Sequence, residues 1–225
     1  MSSDPKRSRA RELAAMHLAR GDALGWFEPL YAQAAGVTAN VPWADLRPNP
    51  NLVEWFDAKA LGGEGRAALV VGCGLGDDAE FLANRGFRVT AFDVSPTAVA
   101  WCRSRFPNSA VRYEVADLLS PPATWRRAFD FVLEAYTLQV LPRGVREQAI
   151  SHVVDTVRSG GKLLLICRGR KSEDPEGQMP WPLLREELSE LERAGLALDE
   201  FEEFWDPHEE PPVWRYRACY TRPAA

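Results

Sequence analysis

The chain is poor in the features that mark several common classes of protein. Its four cysteines and three histidines form no C-x-x-C pair and no mixed cluster, so we expect no metal site. Acidic residues outnumber basic ones and the net charge is −5, which does not favour a nucleic-acid-binding face. No apolar run reaches the roughly 18 residues that span a bilayer, and no apolar signal segment follows the charged N-terminus. We therefore expect a cytoplasmic protein that binds neither nucleic acid nor membrane, as a monomer or homodimer.

The stretch from Ala68 to Asp93 is the most informative part of the chain. A short β-branched run ends at Gly72, and Gly74 and Gly76 follow with Cys73 between the first two. Glycines in such a loop allow sharp turns and let a ligand approach main-chain N–H groups. A predicted helix and a second strand then lead to Asp93, where an acidic side chain can bind ribose hydroxyls. The unit is therefore typical of a nucleoside-binding βαβ.

The spacing of the glycines indicates which nucleoside is bound. A dinucleotide fold needs G-x-G-x-x-G, whereas this loop is G-x-G-x-G and is followed by Asp77 and Asp78. Two carboxylates at a helix N-terminus would repel a pyrophosphate, although they can also act simply as helix caps. S-adenosylmethionine, which is a cation at sulfur and carries no phosphate, suits the loop better.

The rest of the chain alternates predicted strands and helices. We predict strands at 111–115, 129–133 and 162–167, helices at 143–158 and 181–194, and a final hairpin of strands at 197–205 and 214–221. This order predicts a Rossmann-like α/β fold: a seven-stranded, mostly parallel sheet with helices on both faces and a C-terminal antiparallel hairpin. Residues 1–40 are predicted to form an N-terminal helical lid on a single domain of residues 41–225.

Ligands of such sheets bind beyond the carboxyl ends of the strands. This rule selects the glycine loop and the four residues that end the other predicted strands, namely Asp93, Asp117, Glu134 and Arg168. Arg168 is a candidate for contact with an acidic substrate or for a surface ion pair. Asp117 and Glu134 can each also serve as a cap or turn residue.

Three segments resemble class I S-adenosylmethionine-dependent methyltransferases, and within them the thiopurine and thiol/halide methyltransferase-like group. The segments are VVGCGLGDD, FDVSPTAV and VPWADLRPNPNLVEWF. The last of these departs from the group, which usually has Trp-Asp-x-Gly where this chain has Trp43-Ala44-Asp45-Leu46.

The resemblance implies S-adenosylmethionine as cofactor and a small-molecule methyl acceptor. It implies that the cofactor contacts Trp43, Gly72, Cys73, Gly74, Gly76, Asp93, Val94, Ser95, Asp117, Leu118 and Glu134. Glu134 and Tyr136 are then the candidates for the methyl-transfer cleft, as the catalytic pair.

Aromatic residues outside the predicted sheet are candidates for the acceptor pocket, because aromatic faces shape apolar pockets and stabilise cations. At least half of these are expected to pack in the core or lid. The candidates for substrate contact are Trp26, Phe27, Tyr31, Tyr136 and Trp181, together with Arg168.

The shortage of bases favours an acceptor that ionises by itself. Thiols have a pKa near 8.5 and are partly ionised at neutral pH, whereas alcohols and amines need a base or metal. His17 and His152 fall within predicted helices, and His208 lies in an acidic loop. We expect a methyltransferase acting on a thiol or another soft nucleophile by in-line displacement. The alternatives are an O- or N-methyltransferase of a metabolite, a non-catalytic S-adenosylmethionine sensor and, against the glycine spacing, a nicotinamide-dependent oxidoreductase.

Overall fold

The computed structural model describes residues 5–224. Its helices are α1 (Pro5–Leu18), α2 (Phe27–Gln33), α3 (Pro50–Ala58), α4 (Asp77–Asn84), α5 (Pro96–Arg105), α6 (Arg143–Thr156) and α7 (Arg185–Arg193). Its strands are β1 (Ala67–Val71), β2 (Arg88–Asp93), β3 (Arg112–Val115), β4 (Phe129–Ala135), β5 (Val157–Arg170), β6 (Leu183–Leu184), β7 (Ala197–Asp206) and β8 (Val213–Thr221). Within the described residues, no helix is both long and apolar enough to cross a membrane.

The strands form one mixed sheet in the order β3-β2-β1-β4-β5-β8-β7. The first five strands in this order are parallel, and β8 and β7 add an antiparallel hairpin at one edge. A two-residue strand, β6, pairs with the end of β5. The predicted Rossmann-like fold is therefore confirmed, with one additional short strand.

Helices cover both faces of the sheet, which explains why its central strands are apolar almost throughout. One apolar cluster joins α3, α4 and α5 to one face, through residues such as Phe56, Leu82 and Val99. A second cluster joins α6 and α7 to the other face, through residues such as Ile150 and Leu188. The order of the strands reverses between β1 and β4, where a ligand crevice forms in doubly wound sheets.

The N-terminal segment has its own apolar cluster over the carboxyl edge of the sheet. Trp26, Leu30 and Tyr31 pack there against Leu75 of the glycine loop and Ala98 of α5. The helices α1 and α2 therefore lie over this edge of the sheet. Residues 1–4 of the predicted lid lie outside the described range.

Two predicted element boundaries differ from the structure. The helix predicted from Trp181 begins only at Arg185, because Leu183 and Leu184 are extended and pair with the end of β5. The strand predicted from Lys162 begins at Val157, which pairs with Phe129. The pairing with β4 then shifts register and resumes at Lys162, so the glycines expected to separate helix and strand lie within β5 at an irregularity of the ladder.

The buried central strands predict a large cost for truncating a core side chain. Leu133 of β4 is fully buried, so Leu133→Ala should lower the free energy of unfolding by roughly 2–5 kcal/mol. Denaturant unfolding followed by circular dichroism measures this. Leu46→Ala is the matched control, because Leu46 is 49% exposed and should change stability by less than about 0.5 kcal/mol. Equal costs for the two variants would contradict the assigned core.

Candidate active site

The glycine loop between β1 and α4 adopts a backbone that depends on its glycines. Gly72, Gly74 and Gly76 all have positive φ, at 59°, 55° and 90°, a region that other residues rarely adopt. A Cβ on Gly72 would lie 2.4 Å from Thr137 Oγ1, and one on Gly76 would lie 2.6 Å from the Tyr113 hydroxyl. At Gly74 the nearest atom would be 3.4 Å away. The loop is therefore tightly packed at two glycines, whereas at Gly74 a Cβ would make ordinary contacts with Tyr31 and Trp43.

Asp93 joins this loop to the end of β2. Its Oδ2 accepts a hydrogen bond from Gly74 N at 3.0 Å, and its Oδ1 accepts one from Ser95 N at 2.9 Å. A carboxylate has about four acceptor positions, so these two bonds leave two for a ligand. The side chain is 6% exposed, and burial raises the pKa of Asp93 to about 6 against the opposing effect of its backbone donors. Such a carboxylate suits a pair of ligand hydroxyl donors.

A cavity of about 370 Å³ extends from the glycine loop along the carboxyl edge of the sheet. It brings together twelve of the residues that the sequence selected. These are Phe27, Tyr31, Trp43, Gly72, Cys73, Gly74, Gly76, Asp93, Val94, Leu118, Tyr136 and Arg168.

The N-terminal segment is attached to the wall of this cavity through polar contacts as well as apolar ones. Glu28 of α2 accepts hydrogen bonds from Ser95 Oγ at 2.5 Å, Thr97 Oγ1 at 2.6 Å and Thr97 N at 3.1 Å. Trp43 Nε1 donates to the Tyr31 hydroxyl at 2.8 Å. These bonds hold the aromatic rings of Tyr31 and Trp43 on the cavity wall beside Gly74.

The end of the cavity at the N-terminus of α4 is acidic. Asp77 is paired with Arg105 at 2.8 Å, whereas Asp78 Oδ1 accepts only from Asn49 N, at 2.7 Å. Burial raises the pKa of Asp78 to about 6, and the charges of Asp77 and Asp45 act in the same direction. A pyrophosphate would be repelled at this helix terminus, whereas a cationic ligand would be tolerated.

The opposite end of the cavity is built around Tyr136, which follows β4 with a φ of 68°. Its hydroxyl accepts a long hydrogen bond from Asn51 Nδ2 at 3.4 Å, and the Arg215 guanidinium lies 4.5 Å from the centre of its ring. Arg215 is buried and donates to Asp206 at 3.0 Å and to Glu209 at 2.6 Å. Burial raises the pKa of Tyr136, so the phenol remains protonated at neutral pH.

Glu134 lies behind the cavity wall and does not line it. It is fully buried, and its Oε1 accepts from Thr137 N and Leu138 N, both at 2.8 Å. Burial raises its pKa to about 7. These contacts favour a structural role for Glu134, because they stabilise the turn that places Tyr136 and Thr137 on the cavity wall. Its direct contact with cofactor or acceptor stays a prediction that this geometry does not favour.

Four further candidates also lie off the cavity wall. Trp26 is fully buried and stacks on Phe27 at 3.9 Å, and Trp181 packs against the lid cluster. Ser95 Oγ accepts from Ala98 N and so caps α5, while Asp117 is exposed and accepts from Leu119 N at 2.7 Å. Each of these side chains is engaged in packing, in a helix cap or in a local turn. For this reason it does not line the cavity, although it lies next to a motif in the sequence.

The histidines occupy three different surroundings. His17 bonds to Asp22 and His152 to the carbonyl of Leu118. His208 lines the cavity, and its Nε2 lies 2.7 Å from Glu54 Oε1.

Some residues on the cavity wall were not selected from the sequence. Asn49, Thr137, Gln139 and Arg215 belong to this set. Asn49 caps α3 just before Pro50, and a proline at the first position of a helix was a usable signal for that cap. Arg215 gave no local signal, because its burial depends on how β8 pairs with β5.

Comparisons with known proteins agree with the fold and the loop. Residues 68–161 match a family model described as a methyltransferase domain. No curated protein matches the chain significantly.

Solved structures are similar across most of the chain. A 1,6-didemethyltoxoflavin-N1-methyltransferase of Burkholderia thailandensis, with bound 1,6-didemethyltoxoflavin and S-adenosylhomocysteine, has a TM-score of 0.67 at 16% identity, covering 99% of this chain and 92% of its own. A second similar structure is described as concerning the conversion of a disulfide bond into a thioacetal group during echinomycin biosynthesis. It has a TM-score of 0.66 at 22% identity, and the match covers 81% of this chain and 84% of its own. The [4+2]-cyclase SpnF has a TM-score of 0.69 at 18% identity, covering 89% and 95%.

These findings and the geometry of the site point to the same class of protein. At these identities the solved structures establish a shared fold, and the family match adds a methyltransferase domain within it. Together with the glycine loop and Asp93, they support an S-adenosylmethionine-dependent methyltransferase with S-adenosylmethionine as its cofactor. The thiopurine-like subgroup is not resolved by these comparisons.

The contacts of Asp93 predict a loss of cofactor affinity on its removal. Asp93→Ala should weaken binding of S-adenosylhomocysteine at least several-fold, because the ligand hydroxyls and Gly74 N both lose their acceptor. Isothermal titration calorimetry measures the affinity. Asp57→Ala, at an exposed aspartate of α3 that does not line the cavity, is the control. Unchanged affinity in Asp93→Ala would show that the carboxylate serves the loop alone.

The raised pKa of Asp93 also predicts a pH dependence of binding. Ligand hydroxyls that donate to Asp93 favour its ionised form, so binding requires loss of the proton that the free protein holds below a pKa of about 6. Affinity for S-adenosylhomocysteine should be constant above about pH 7 and fall as the pH drops below 6. Calorimetry from pH 5 to pH 8 tests this, and Asp93→Asn should flatten the profile. An equally steep profile in Asp93→Asn would assign the titration to another group, such as Asp78.

Proposed function

We propose that the protein transfers the methyl group of S-adenosylmethionine to a small molecule, by in-line displacement on a thiol or related soft nucleophile. The observation that carries this proposal is the composition of the acceptor end of the cavity. Within residues 5–224 its wall carries a single histidine, His208, and two of its carboxylates, Asp206 and Glu209, are bonded to Arg215. A nucleophile that ionises by itself suits such a wall.

The residues present fit the cofactor. The cavity-lining main chain at Gly74 and the two remaining acceptor positions of Asp93 suit a ribose, and the acidic N-terminus of α4 suits a ligand without phosphate. Bound S-adenosylmethionine supplies an electrophilic methyl carbon. Val94 and Leu118 are the apolar candidates for the adenine, because both line the cavity next to Asp93.

The contribution of the protein to catalysis is then mainly one of position. Two reactants held in line can gain on the order of 7–11 kcal/mol relative to free encounter. Trp43 and Tyr31, fixed by their mutual hydrogen bond, would exclude water from the loop side. Tyr136, held by Asn51 and by the ring contact with Arg215, would orient the acceptor.

The thiopurine and thiol/halide group is our proposal for the subgroup. It is supported by the FDVSPTAV and VPWADLRPNPNLVEWF segments, which contribute Asp93 and Trp43 to the cavity. One of the similar structures is described in terms of the conversion of a disulfide bond into a thioacetal group. This description agrees with sulfur chemistry on the same fold.

We further propose that residues 1–40 act as a lid on a single domain of residues 41–225. The contacts of Glu28 with Ser95 and Thr97 support this arrangement, because they fasten α2 directly above the end of β2.

A specific observation favours a second candidate, an O- or N-methyltransferase. His208 lines the cavity, and a carboxylate partner such as Glu54 orients an imidazole for proton abstraction. A neighbour that is an N1-methyltransferase shares the fold over 99% of this chain. The [4+2]-cyclase among the neighbours shows that the fold alone does not decide the reaction, so a protein that binds the cofactor without transferring methyl is the third candidate.

A methyl-transfer assay with labelled S-adenosylmethionine tests the proposal. The acceptor panel contains thiols, halides, phenols and amines, and each is assayed with the wild type and with His208→Gln. We expect turnover on thiols or halides that His208→Gln lowers by less than about threefold, because no base is needed.

The same panel separates the three candidates. Turnover confined to phenols or amines, and lowered about 100-fold or more by His208→Gln, would contradict the soft-nucleophile proposal and favour the second candidate. Calorimetric binding of the cofactor without turnover on any acceptor would favour the non-catalytic candidate.

A further inference from the structure

The guanidinium of Arg168 lies on the cavity wall in surroundings that favour a ligand of opposite charge. Arg168 follows the buried part of β5, and its side chain is half-buried in the cavity. Its main-chain N–H donates to Gln139 Oε1 at 2.7 Å. Among residues 5–224, its side chain makes no hydrogen bond and no ion pair.

The sheet places a second arginine directly beside it. Arg168 of β5 and Arg215 of β8 are opposite each other in the antiparallel register, so their side chains leave the same face of the sheet. Like charges in this arrangement destabilise a sheet unless they are neutralised. Burial, with added repulsion from Arg215 and Arg7, lowers the pKa of Arg168 to about 10.

The nearby carboxylates are engaged by the other arginines. Asp206 and Glu209 both bond to Arg215, and Glu209 also lies 3.8 Å from Arg7. Within residues 5–224, these two carboxylates therefore lie against Arg215 and Arg7, and neither forms an ion pair with Arg168. The remaining charged or titratable groups on this part of the wall are Tyr136, His208 and the exposed Glu210.

We propose that Arg168 is the counter-ion of a carboxylate on the methyl acceptor, so that the substrate is a small monoanion. This rests on the proposed function, since it places the acceptor at the Tyr136 end of the cavity. A guanidinium fork matches a carboxylate in a bidentate manner. Asp206 and Glu209 line the same end of the cavity and would repel a phosphate dianion more strongly than a singly charged carboxylate. The ring of Tyr136 beside Arg215 suits a flat acceptor body next to that carboxylate.

The test compares a carboxylate with a neutral molecule of the same shape. Benzoate and benzamide are titrated by calorimetry into the complex with S-adenosylhomocysteine. The wild type should bind benzoate at least tenfold more tightly, as expected for a charge-assisted hydrogen bond. Arg168→Gln should bind the two alike, and Arg168→Lys should keep part of the preference. Arg112→Gln, an exposed arginine on the far edge strand β3, is the matched control and should keep the full preference.

A second readout does not depend on any ligand. Removing an unneutralised cation beside Arg215 should leave the melting temperature of Arg168→Gln equal to or above that of the wild type. A fall of several degrees would show that Arg168 has a structural partner and would overturn the proposal. Equal binding of benzoate and benzamide by the wild type, or binding of neither, would overturn it as well.

Failure of this inference is distinguishable from failure of the proposed function. If S-adenosylhomocysteine does not bind, the proposed function fails, and the benzoate preference is measured on the free protein. If S-adenosylhomocysteine binds and the preference is absent, only the assignment of Arg168 fails.

Discussion

The carboxylate of Asp93 ties together the parts of the molecule that form the cavity. One oxygen holds Gly74 N in the glycine loop, and the other holds Ser95 N at the start of α5. Ser95 in turn donates to Glu28 of the lid. A single buried side chain at the end of β2 therefore fixes the loop, the second helix and, through one intermediary, the lid. These bonds stabilise the ionised form that burial opposes, and the balance leaves the pKa of Asp93 near 6, where a ligand can shift it.

The charged groups on the cavity wall differ in sign between its two ends. Carboxylates predominate at the glycine-loop end, where Asp78 and Asp93 accept hydrogen bonds from main-chain N–H groups. Guanidinium groups predominate at the other end, where Arg168 and Arg215 lie side by side. A ligand that is cationic at sulfur and an acceptor that is anionic would be directed to opposite ends. Their reacting atoms would then meet between the two ends of the cavity, that is, between Gly74 and Tyr136.

Much of the fold could be predicted from the sequence because its signals are local. The apolar run before Gly72, the glycine spacing and the position of Asp93 are all contained in one βαβ unit, and the structure places them together. The boundaries at Trp181 and Lys162 were wrong because strand pairing with distant residues, Gly169 and Phe129, decided them. Local patterns do not report such pairing.

The site was predictable in part for the same reason. Residues at strand ends, such as Asp93 and Tyr136, reached the cavity because the topology brings every parallel strand to one edge. Glu134 was selected by the same rule, yet its side chain turns inward to bond Thr137 N and Leu138 N. Arg215 was not selected, because its burial follows from the register of an antiparallel hairpin that closes the sheet after a long separation in sequence.

The central claim is that the glycine loop and Asp93 form a site for an adenosine that carries no pyrophosphate. The most direct measurement is a calorimetric titration of the wild type with S-adenosylhomocysteine and, separately, with NADH. The account predicts saturable one-to-one binding of S-adenosylhomocysteine and no detectable binding of NADH. Binding of NADH with equal or higher affinity, or no binding of S-adenosylhomocysteine, would contradict it.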